Sequence, residues 1–165
     1  MKPSGDHDQA DGGRAPPLVV RRAARWGECD PAGIVYTPRF SDWVIEAVEA
    51  FFATVLQVPW LDLRRSHGLA SPMARMSLDF KRPVAAGDEI DIELEVARVG
   101  RTSLTFAITG RRRSDPCFTA EVTTVFVDIA SDTPTGIPDL LRDRAARFHA
   151  GQTTKKAREE PGGKP

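Results

Sequence analysis

The chain has 165 residues, of which 41% are hydrophobic and 28% are charged. This length and balance are typical of one globular domain with a single core and short tails. Basic and acidic residues number 23 each, so the formal net charge is zero. No overall field therefore favours nucleic acid, a membrane surface or an acidic partner.

The sequence also limits compartment and redox chemistry. No apolar stretch reaches the length of a membrane span, and residues 1–16 lack the apolar segment of a signal peptide. We therefore expect a cytoplasmic protein with no membrane partner. Cys29 and Cys117 are too few and too far apart for a disulfide framework or a zinc cluster, so both are expected to be reduced thiols without a metal.

Both ends of the chain are poor in large apolar side chains. Residues 1–16 are rich in glycine, proline and aspartate, and residues 149–165 are strongly charged. Neither segment can bury enough surface to offset the entropy lost on ordering, so both are predicted to be disordered. One folded domain is expected over residues 17–148.

The first predicted elements are a strand over residues 18–26 and a long helix. Thr37 is predicted to be the N-cap of the helix, with Pro38 at its first helical position. The helix is expected to end near Leu56 and to be followed by a loop that contains His67. Apolar residues recur along it at steps of three and four and form one face: Phe40, Val44, Ala47, Val48, Phe51 and Val55.

Beyond the loop, apolar and polar residues alternate with a period of two, which predicts further strands. These strands centre on residues 76–80, 90–96, 104–108 and 122–126. Turns are expected at residues 86–88, at Gly100 and at residues 114–116, where glycine, aspartate and proline cluster. One helix and five antiparallel strands make an α+β domain with the helix packed on one face of the sheet.

Residues 27–36, GECDPAGIVY, carry the most chemical information, and we refer to them as the decamer. Asp30 precedes a proline, and the small residue Gly33 precedes the predicted helix start. A carboxylate beside a tight turn can act as a base or nucleophile close to backbone N–H groups of a helix N-terminus, which stabilise an anion. The alternative is that Asp30 only caps its own Asp-Pro turn.

The decamer resembles the motif of the 4-hydroxybenzoyl-CoA thioesterase family of hotdog-fold proteins. Its best-known bacterial members have a pattern close to GDCDPAGIV, followed by a proline that opens the long helix. This chain departs from that pattern at Glu28, where the family often has aspartate. The resemblance implies a single hotdog domain, in which a five-stranded antiparallel sheet wraps a long central helix.

The resemblance also implies roles for the decamer. Asp30 matches the catalytic carboxylate, which either attacks the thioester carbonyl or activates a water molecule. The backbone N–H that holds the carbonyl oxygen falls on Thr37, and Gly33 would let the backbone approach the thioester closely. A thioester is activated enough that this chemistry needs no metal and no cofactor beyond the CoA of the substrate.

The same resemblance predicts a site for the CoA or carrier-protein part of the substrate. In the family, basic residues after the third strand contact the nucleotide phosphates, and the match falls on Arg101, with Thr102 and Ser103 after it and Arg98 before the turn. The run of arginines at residues 111–113 is a second candidate. The alternative for all of these arginines is an ordinary solvated strand end.

Other polar residues are weaker candidates. Glu28 is expected to be a solvated or salt-bridged carboxylate, and Cys29 a small buried residue. Glu46 and Glu49 are of interest because another branch of hotdog thioesterases has its catalytic carboxylate on the long helix, but here both fall opposite the apolar face. His67 has no partner at a useful spacing.

The resemblance favours an acyl-CoA thioesterase that acts on an aromatic or a short-to-medium acyl chain. The alternative is a non-hydrolytic hotdog protein that binds acyl-CoA or acyl carrier protein, or that belongs to a larger assembly. A hotdog dehydratase is disfavoured, because neither the decamer nor the helix contains a histidine. A homo-oligomer, a dimer or a tetramer, is expected because the sheet has free edges and the family pairs protomers through them.

Overall fold

The computed structural model describes residues 16–159. The predicted N-terminal tail therefore lies outside the described residues, apart from Pro16, and so do residues 160–165. The strands are β1 (Leu18–Ala23), β2 (Leu69–Ala70), β3 (Met73–Phe80), β4 (Glu89–Val99), β5 (Ser103–Arg112), β6 (Asp115–Val125), β7 (Val127–Asp128) and β8 (Thr133–Pro134). The helices are α1 (Arg39–Thr54), α2 (Trp60–His67) and α3 (Asp139–Glu159).

The main sheet has five antiparallel strands in the order β1-β4-β5-β6-β3, and β2, β7 and β8 form a small second sheet. Burial alternates along the central strands, as the period of two predicted. In β4 the buried residues Ile90, Ile92 and Leu94 alternate with half-buried acidic residues on the other face. The predicted α+β class and the five-stranded antiparallel sheet are both confirmed.

One predicted turn is shifted by a residue or two. The turn between β5 and β6 lies at Arg113 and Ser114, and Arg113 has a positive φ of 58°. Asp115 and Pro116 already belong to β6, where Pro116 is paired with Arg111. A proline and an aspartate are typical turn residues, but here they stand at the start of a strand, where the lost N–H of proline is tolerated.

Helix α1 packs its apolar face on the sheet. Phe51 lies edge-on to Phe106 of β5 at 5.0 Å, and Phe40 lies edge-on to Phe118 of β6 at 5.2 Å. The predicted N-cap at Thr37 is wrong, because Pro38 occupies the N-cap position and no side chain caps the helix. Residues 36–39 already form a tight turn, which precedes the first residue of α1.

The segment predicted as a loop around His67 is the short helix α2. It ends at Gly68, which has a positive φ of 64°, and Pro59 stands directly before its first residue. Only Leu63 is buried within it. Because α2 has eight residues and one buried side chain, its sequence shows no apolar periodicity. Pro59 before it and Gly68 after it are therefore the clear sequence signals of this helix.

Helix α3 was not predicted, and with 21 residues it is longer than α1 with its 16. Leu141 and Ala145 are buried, and Phe148 lies 5.5 Å from Phe51. The predicted domain boundary at residue 148 falls inside α3 and is too early, since Gln152 is only 6% exposed. Among residues 16–159 no helix is both long and apolar enough to cross a membrane.

The edge of β4 explains why the end of α3 is folded. Strand β1 pairs with β4 only as far as Leu94. Beyond it, Val96 donates its N–H to Gln152 Oε1 at 3.0 Å, and its carbonyl oxygen lies 2.5 Å from His149 Nδ1. Two side chains of α3 thus take the place of a neighbouring strand and satisfy backbone groups that would otherwise be unpaired.

Candidate active site

The decamer lies at one end of the main sheet, beside the start of α1. Residues 26–28 form a 3-10 turn after β1. Val35 donates its N–H to the carbonyl oxygen of Val84 at 2.8 Å, and Ile34 forms a bridge with Ala85. Because residues 84–88 lead directly into β4, the decamer sits at the Glu89 end of that strand.

The backbone of the decamer folds tightly around Asp30. The Asp30 N–H donates to the carbonyl oxygen of Ile34 at 2.8 Å, and the Gly33 N–H donates to the carbonyl oxygen of Asp30 at 2.9 Å. Gly33 has a positive φ of 77°, a conformation that glycine adopts without strain. The sequence therefore places a glycine where the turn requires one, which is a structural reason for Gly33 besides closeness to a substrate.

The Asp30 side chain is held through one of its two oxygens. Oδ1 accepts the N–H of Ala32 at 2.8 Å and the N–H of Ile34 at 3.4 Å, which is the turn-capping arrangement of the alternative reading. Oδ2 accepts no hydrogen bond from any residue between 16 and 159, and Asp30 is half-buried. Capping and catalysis are therefore compatible: one oxygen fixes the carboxylate and the other stays available for chemistry.

An unused backbone donor marks the start of α1. The N–H groups of Tyr36 and Arg39 donate to Glu28 and Tyr36 respectively, at 2.9 and 2.8 Å. Within the described chain the N–H of Thr37 donates no hydrogen bond, and Pro38 has none to offer. Since the N-terminus of a helix carries partial positive charge, this free N–H is a suitable donor for a developing oxyanion.

Thr37 also lines a groove of about 310 Å³ beside α1. The aromatic rings of Phe40 and Phe80 form part of its wall and lie edge to face, with centroids 5.1 Å apart. Phe80 is 48% exposed, a large apolar surface open to a ligand. The remaining lining residues are Ile34, Val35, Lys81, Arg82, Pro83 and Val84.

Glu28 is salt-bridged, as predicted, and its partners are Arg22 of β1 and Trp43 of α1. Arg22 Nη2 lies 2.5 Å from Glu28 Oε1, and Trp43 Nε1 donates to the same oxygen at 3.1 Å. Burial alone would raise the pKa of Glu28, but the N–H of Arg25, the indole of Trp43 and the charge of Arg22 together hold that pKa below its usual value. No local pattern of residues indicates the roles of Arg22 and Trp43, because their contacts with Glu28 join separate elements of the fold.

The carboxylates on α1 take no part in the decamer. Glu46 is exposed and pairs with Arg22 Nη1 at 2.6 Å. Glu49 is also exposed and has no ion-pair or hydrogen-bond partner in the described part of the chain. The exposure of both agrees with the prediction that they fall opposite the apolar face of α1. Cys29 is half-buried rather than buried, with Sγ 3.5 Å from the carbonyl oxygen of Arg25.

The predicted phosphate-binding residues lie at the other end of the sheet. Arg98 is near the end of β4, Arg101 and Thr102 form the turn, and Ser103 begins β5. β4, with its 11 residues, spans about 33 Å at a rise of about 3.3 Å per residue. Arg101 and Asp30 of one chain are therefore far apart, so a single protomer does not bring these two candidates together.

The arginines at residues 111–113 are at the same end of the sheet as Asp30, but two of them are neutralised. Arg111 pairs with Glu93 at 2.9 Å, and Arg112 pairs with Asp88 at 2.7 Å. Burial would raise the pKa of Asp88, but the Ala85 N–H and Arg112 outweigh it and lower that pKa. Their contacts favour a structural role over phosphate binding.

No set of three or more histidine, cysteine, aspartate or glutamate side chains in the described region is arranged to hold a metal ion.

A match over most of the domain shows which protein family the chain belongs to. Residues 24–145 match the model of the thioesterase-like superfamily. The chain belongs to the thioesterase-like superfamily. The resemblance of the decamer to a thioesterase motif is thereby confirmed, and so is the prediction of an enzyme that hydrolyses thioesters.

Relatives in this superfamily cover most of the chain. The 1,4-dihydroxy-2-naphthoyl-CoA hydrolase of Synechococcus elongatus is 26% identical over 124 residues, which are 74% of this chain and 90% of the relative. A thioesterase-superfamily structure from Jannaschia sp. CCS1 is 27% identical, covers 88% of this chain and 96% of its own, and has a TM-score of 0.74.

A second solved structure supports the fold alone. The 1,4-dihydroxy-2-naphthoyl-CoA thioesterase from Synechocystis is 17% identical, covers 78% of this chain and 94% of its own, and has a TM-score of 0.72. These superfamily neighbours confirm the hotdog fold that the decamer implied.

Proposed function

We propose that this superfamily member is an acyl-CoA thioesterase that uses Asp30 to release a free acid and CoA. The observation that carries the proposal is that the segment from Asp30 to Thr37 holds both a carboxylate with one free oxygen and a backbone N–H without an acceptor. Asp30 is fixed through Oδ1 and has Oδ2 unengaged, and the unpaired N–H of Thr37 lies where the decamer meets α1. In this reading α1 is the central helix that the sheet wraps.

Two routes remain open for the Asp30 carboxylate. In the first, the carboxylate takes a proton from a water molecule, whose oxygen adds to the thioester carbonyl. In the second, the carboxylate oxygen adds directly, CoA leaves as the thiolate, and water hydrolyses the resulting mixed anhydride. In both, the carbonyl oxygen gains negative charge, which the Thr37 N–H and the start of α1 would stabilise.

The lining of the groove beside Thr37 favours an aromatic acyl group as the substrate over a long flexible acyl chain. Phe40 and Phe80 line it with rings that lie edge to face, and the exposed ring of Phe80 can pack against a planar acyl group. The named substrates of the relatives are aromatic, since the Synechococcus elongatus protein is a dihydroxynaphthoyl-CoA hydrolase. A short-to-medium acyl chain is the alternative substrate class.

The acyl preference is measured by comparing kcat/KM for benzoyl-CoA and naphthoyl-CoA with that for hexanoyl-CoA and acetyl-CoA. One well-packed aromatic contact is worth about 1 kcal/mol, so the aromatic esters are expected to be favoured by about fivefold or more. Equal or higher kcat/KM for hexanoyl-CoA would contradict the aromatic assignment and would leave the thioesterase proposal intact.

The other candidate function is a non-hydrolytic protein that binds acyl-CoA or acyl carrier protein. Asp30 argues against it, because a carboxylate with a free oxygen would repel an anionic ligand without serving its binding. A binder would hold acyl-CoA in calorimetry and release no thiol. The same experiment with an acylated carrier protein separates the two possible carriers.

Arg101 can contribute to the site of Asp30 only from a second protomer, because the two residues lie at opposite ends of β4. We propose a homo-oligomer, a dimer or a tetramer, in which Arg98, Arg101, Thr102 and Ser103 of one chain hold the CoA phosphates near the Asp30 of another. Strand β3 is a free edge of the main sheet, and an exposed edge can pair with a second copy.

Arg101→Ala is expected to raise KM for acyl-CoA by about tenfold with little change in kcat, because the phosphates are remote from the thioester bond. The pantetheine thioester of the same acid lacks the nucleotide and should show no such change. Arg147→Ala is the control, because Arg147 is an exposed arginine on α3 that belongs to none of the candidate sites. An active monomer in light scattering, or an unchanged KM for acyl-CoA, would contradict the shared site.

A further inference from the structure

Glu28, two residues before Asp30, forms hydrogen bonds through both its backbone and its side chain. Its N–H donates to the carbonyl oxygen of Arg25 at 3.0 Å, and its own carbonyl oxygen accepts the N–H of Tyr36 at 2.9 Å. Oε1 accepts from both Arg22 and Trp43, and Oε2 accepts the N–H of Arg25 at 2.8 Å. Every polar atom of this residue is thus bonded.

These bonds join three elements of the fold. Arg22 belongs to β1, and its guanidinium carbon lies 4.4 Å from the centroid of the Trp43 ring of α1. Trp43 is fully buried and the Arg22 side chain is 12% exposed, so neither can move without disturbing the core. The carboxylate of Glu28 is fixed to both of them, and through it the decamer is fixed to the sheet and to the helix.

The backbone bond between Glu28 and Tyr36 closes the loop that carries Asp30. Residues 29–35 lie between these two anchors, with Asp30 two residues after the first and Thr37 directly after the second. The bonds of Glu28 therefore contribute to the relative placement of the Asp30 carboxylate and the Thr37 N–H, together with the bond from Val35 to Val84 that ties the loop to the sheet.

We propose that Glu28 is a positioning residue for thioester hydrolysis, which sets the distance between the Asp30 carboxylate and the Thr37 N–H through its bonds to Arg22 and Trp43. This inference rests on the proposed function. Reaction rates are sensitive to such placement, since a displacement of about 1 Å at a reacting group can cost about 100-fold.

The chemistry of the carboxylate fits positioning better than proton transfer. Glu28 accepts bonds on both oxygens and stays ionised, because its bonding partners lower its pKa. A group in this state is a poor proton acceptor and a good anchor.

The experiment compares Glu28→Ala, Glu28→Gln and Glu46→Gln in the full chain. Glu28→Ala is expected to lower kcat by about 100-fold with KM within about twofold of the wild type, since the substrate contacts are untouched. Glu28→Gln keeps the length of the side chain and one acceptor oxygen, so a partial recovery, to a loss of about tenfold, is expected. Glu46→Gln removes the charge of the other ion-pair partner of Arg22 without touching the decamer, and should leave kcat unchanged within about twofold.

A second readout does not depend on activity. Amide hydrogen exchange of the decamer, at Asp30, Gly33 and Tyr36, should become at least about tenfold faster in Glu28→Gln and stay unchanged in Glu46→Gln, because each tenfold step corresponds to about 1.4 kcal/mol of lost local stability. Exchange in β5 serves as the reference for global folding, so a variant that is unfolded as a whole would be recognised.

The outcomes distinguish failure of the positioning role of Glu28 from failure of the proposed thioesterase function. Wild-type kcat in Glu28→Gln, or a loss that appears in KM instead of kcat, would overturn the positioning role. If the wild-type chain releases no thiol from any acyl-CoA, the proposed function fails. In that case faster exchange confined to the decamer would still support Glu28 as the anchor of the loop, and unchanged exchange would overturn it.

Discussion

Asp30→Asn is expected to lower kcat for acyl-CoA hydrolysis by about 10³-fold or more, because the amide can neither take a proton from water nor attack the carbonyl. Asparagine keeps the oxygen that accepts the N–H groups of Ala32 and Ile34, so the turn and the fold should be preserved. Affinity for the CoA product should be unchanged. Steady-state kinetics and calorimetric titration with CoA measure the two quantities separately.

A matched control is available on α1. Asp42 is an exposed carboxylate near the helix start, and it pairs with Arg39 at 3.2 Å. Asp42→Asn removes the same charge near the same helix end and should change kcat by no more than about twofold, since exposed ion pairs contribute little. Near wild-type turnover by Asp30→Asn would contradict the assignment of Asp30 and would direct attention to Glu46 and Glu49.

Gly110→Ala is expected to lower the free energy of unfolding by about 2–3 kcal/mol, the cost typical of overpacking a core. A Cβ atom at Gly110 would lie 1.9 Å from Cε1 of Phe118. That ring cannot swing away easily, because it is fully buried and its centroid lies 5.2 Å from Phe40 and 6.4 Å from Trp43. Urea denaturation followed by circular dichroism measures the change.

Gly27→Ala is the matched control for this substitution. A Cβ atom there would have no neighbour within 4 Å, and the backbone of Gly27 does not have a positive φ. Its effect on the free energy of unfolding should be no more than about 0.5 kcal/mol. Equal stabilities for Gly110→Ala and the wild type would show that the Phe40–Trp43–Phe118 cluster repacks readily, contrary to the close contact at Gly110.

Local patterns predicted the main sheet and α1 well. In β4 the alternation of isoleucine and leucine with acidic residues is complete within one strand, so the burial of Ile92 and Leu94 follows from sequence alone. The turn at Asp30 was also predicted, because its hydrogen bonds join residues within four positions of each other.

Features that join distant segments could not be predicted in the same way. Helix α3 is mostly polar, and its folding depends on the free edge of β4, which Gln152 meets across 56 positions of sequence. The network around Glu28 depends on Trp43, which is 15 positions away, and on the way β1 places Arg22 beside α1. The distance between Arg101 and Asp30 is set by the length and direction of β4. A match of short motifs compares residues along the sequence and carries no information on that distance.

Thiol release from an aromatic acyl-CoA by the purified chain in the presence of EDTA tests the thioesterase proposal most directly. CoA is expected to appear well above the spontaneous rate, chelation should not slow its release, and Asp30→Asn should abolish it. Binding of acyl-CoA without thiol release from any aromatic or aliphatic ester would contradict the assignment of this chain as an Asp30-dependent thioesterase.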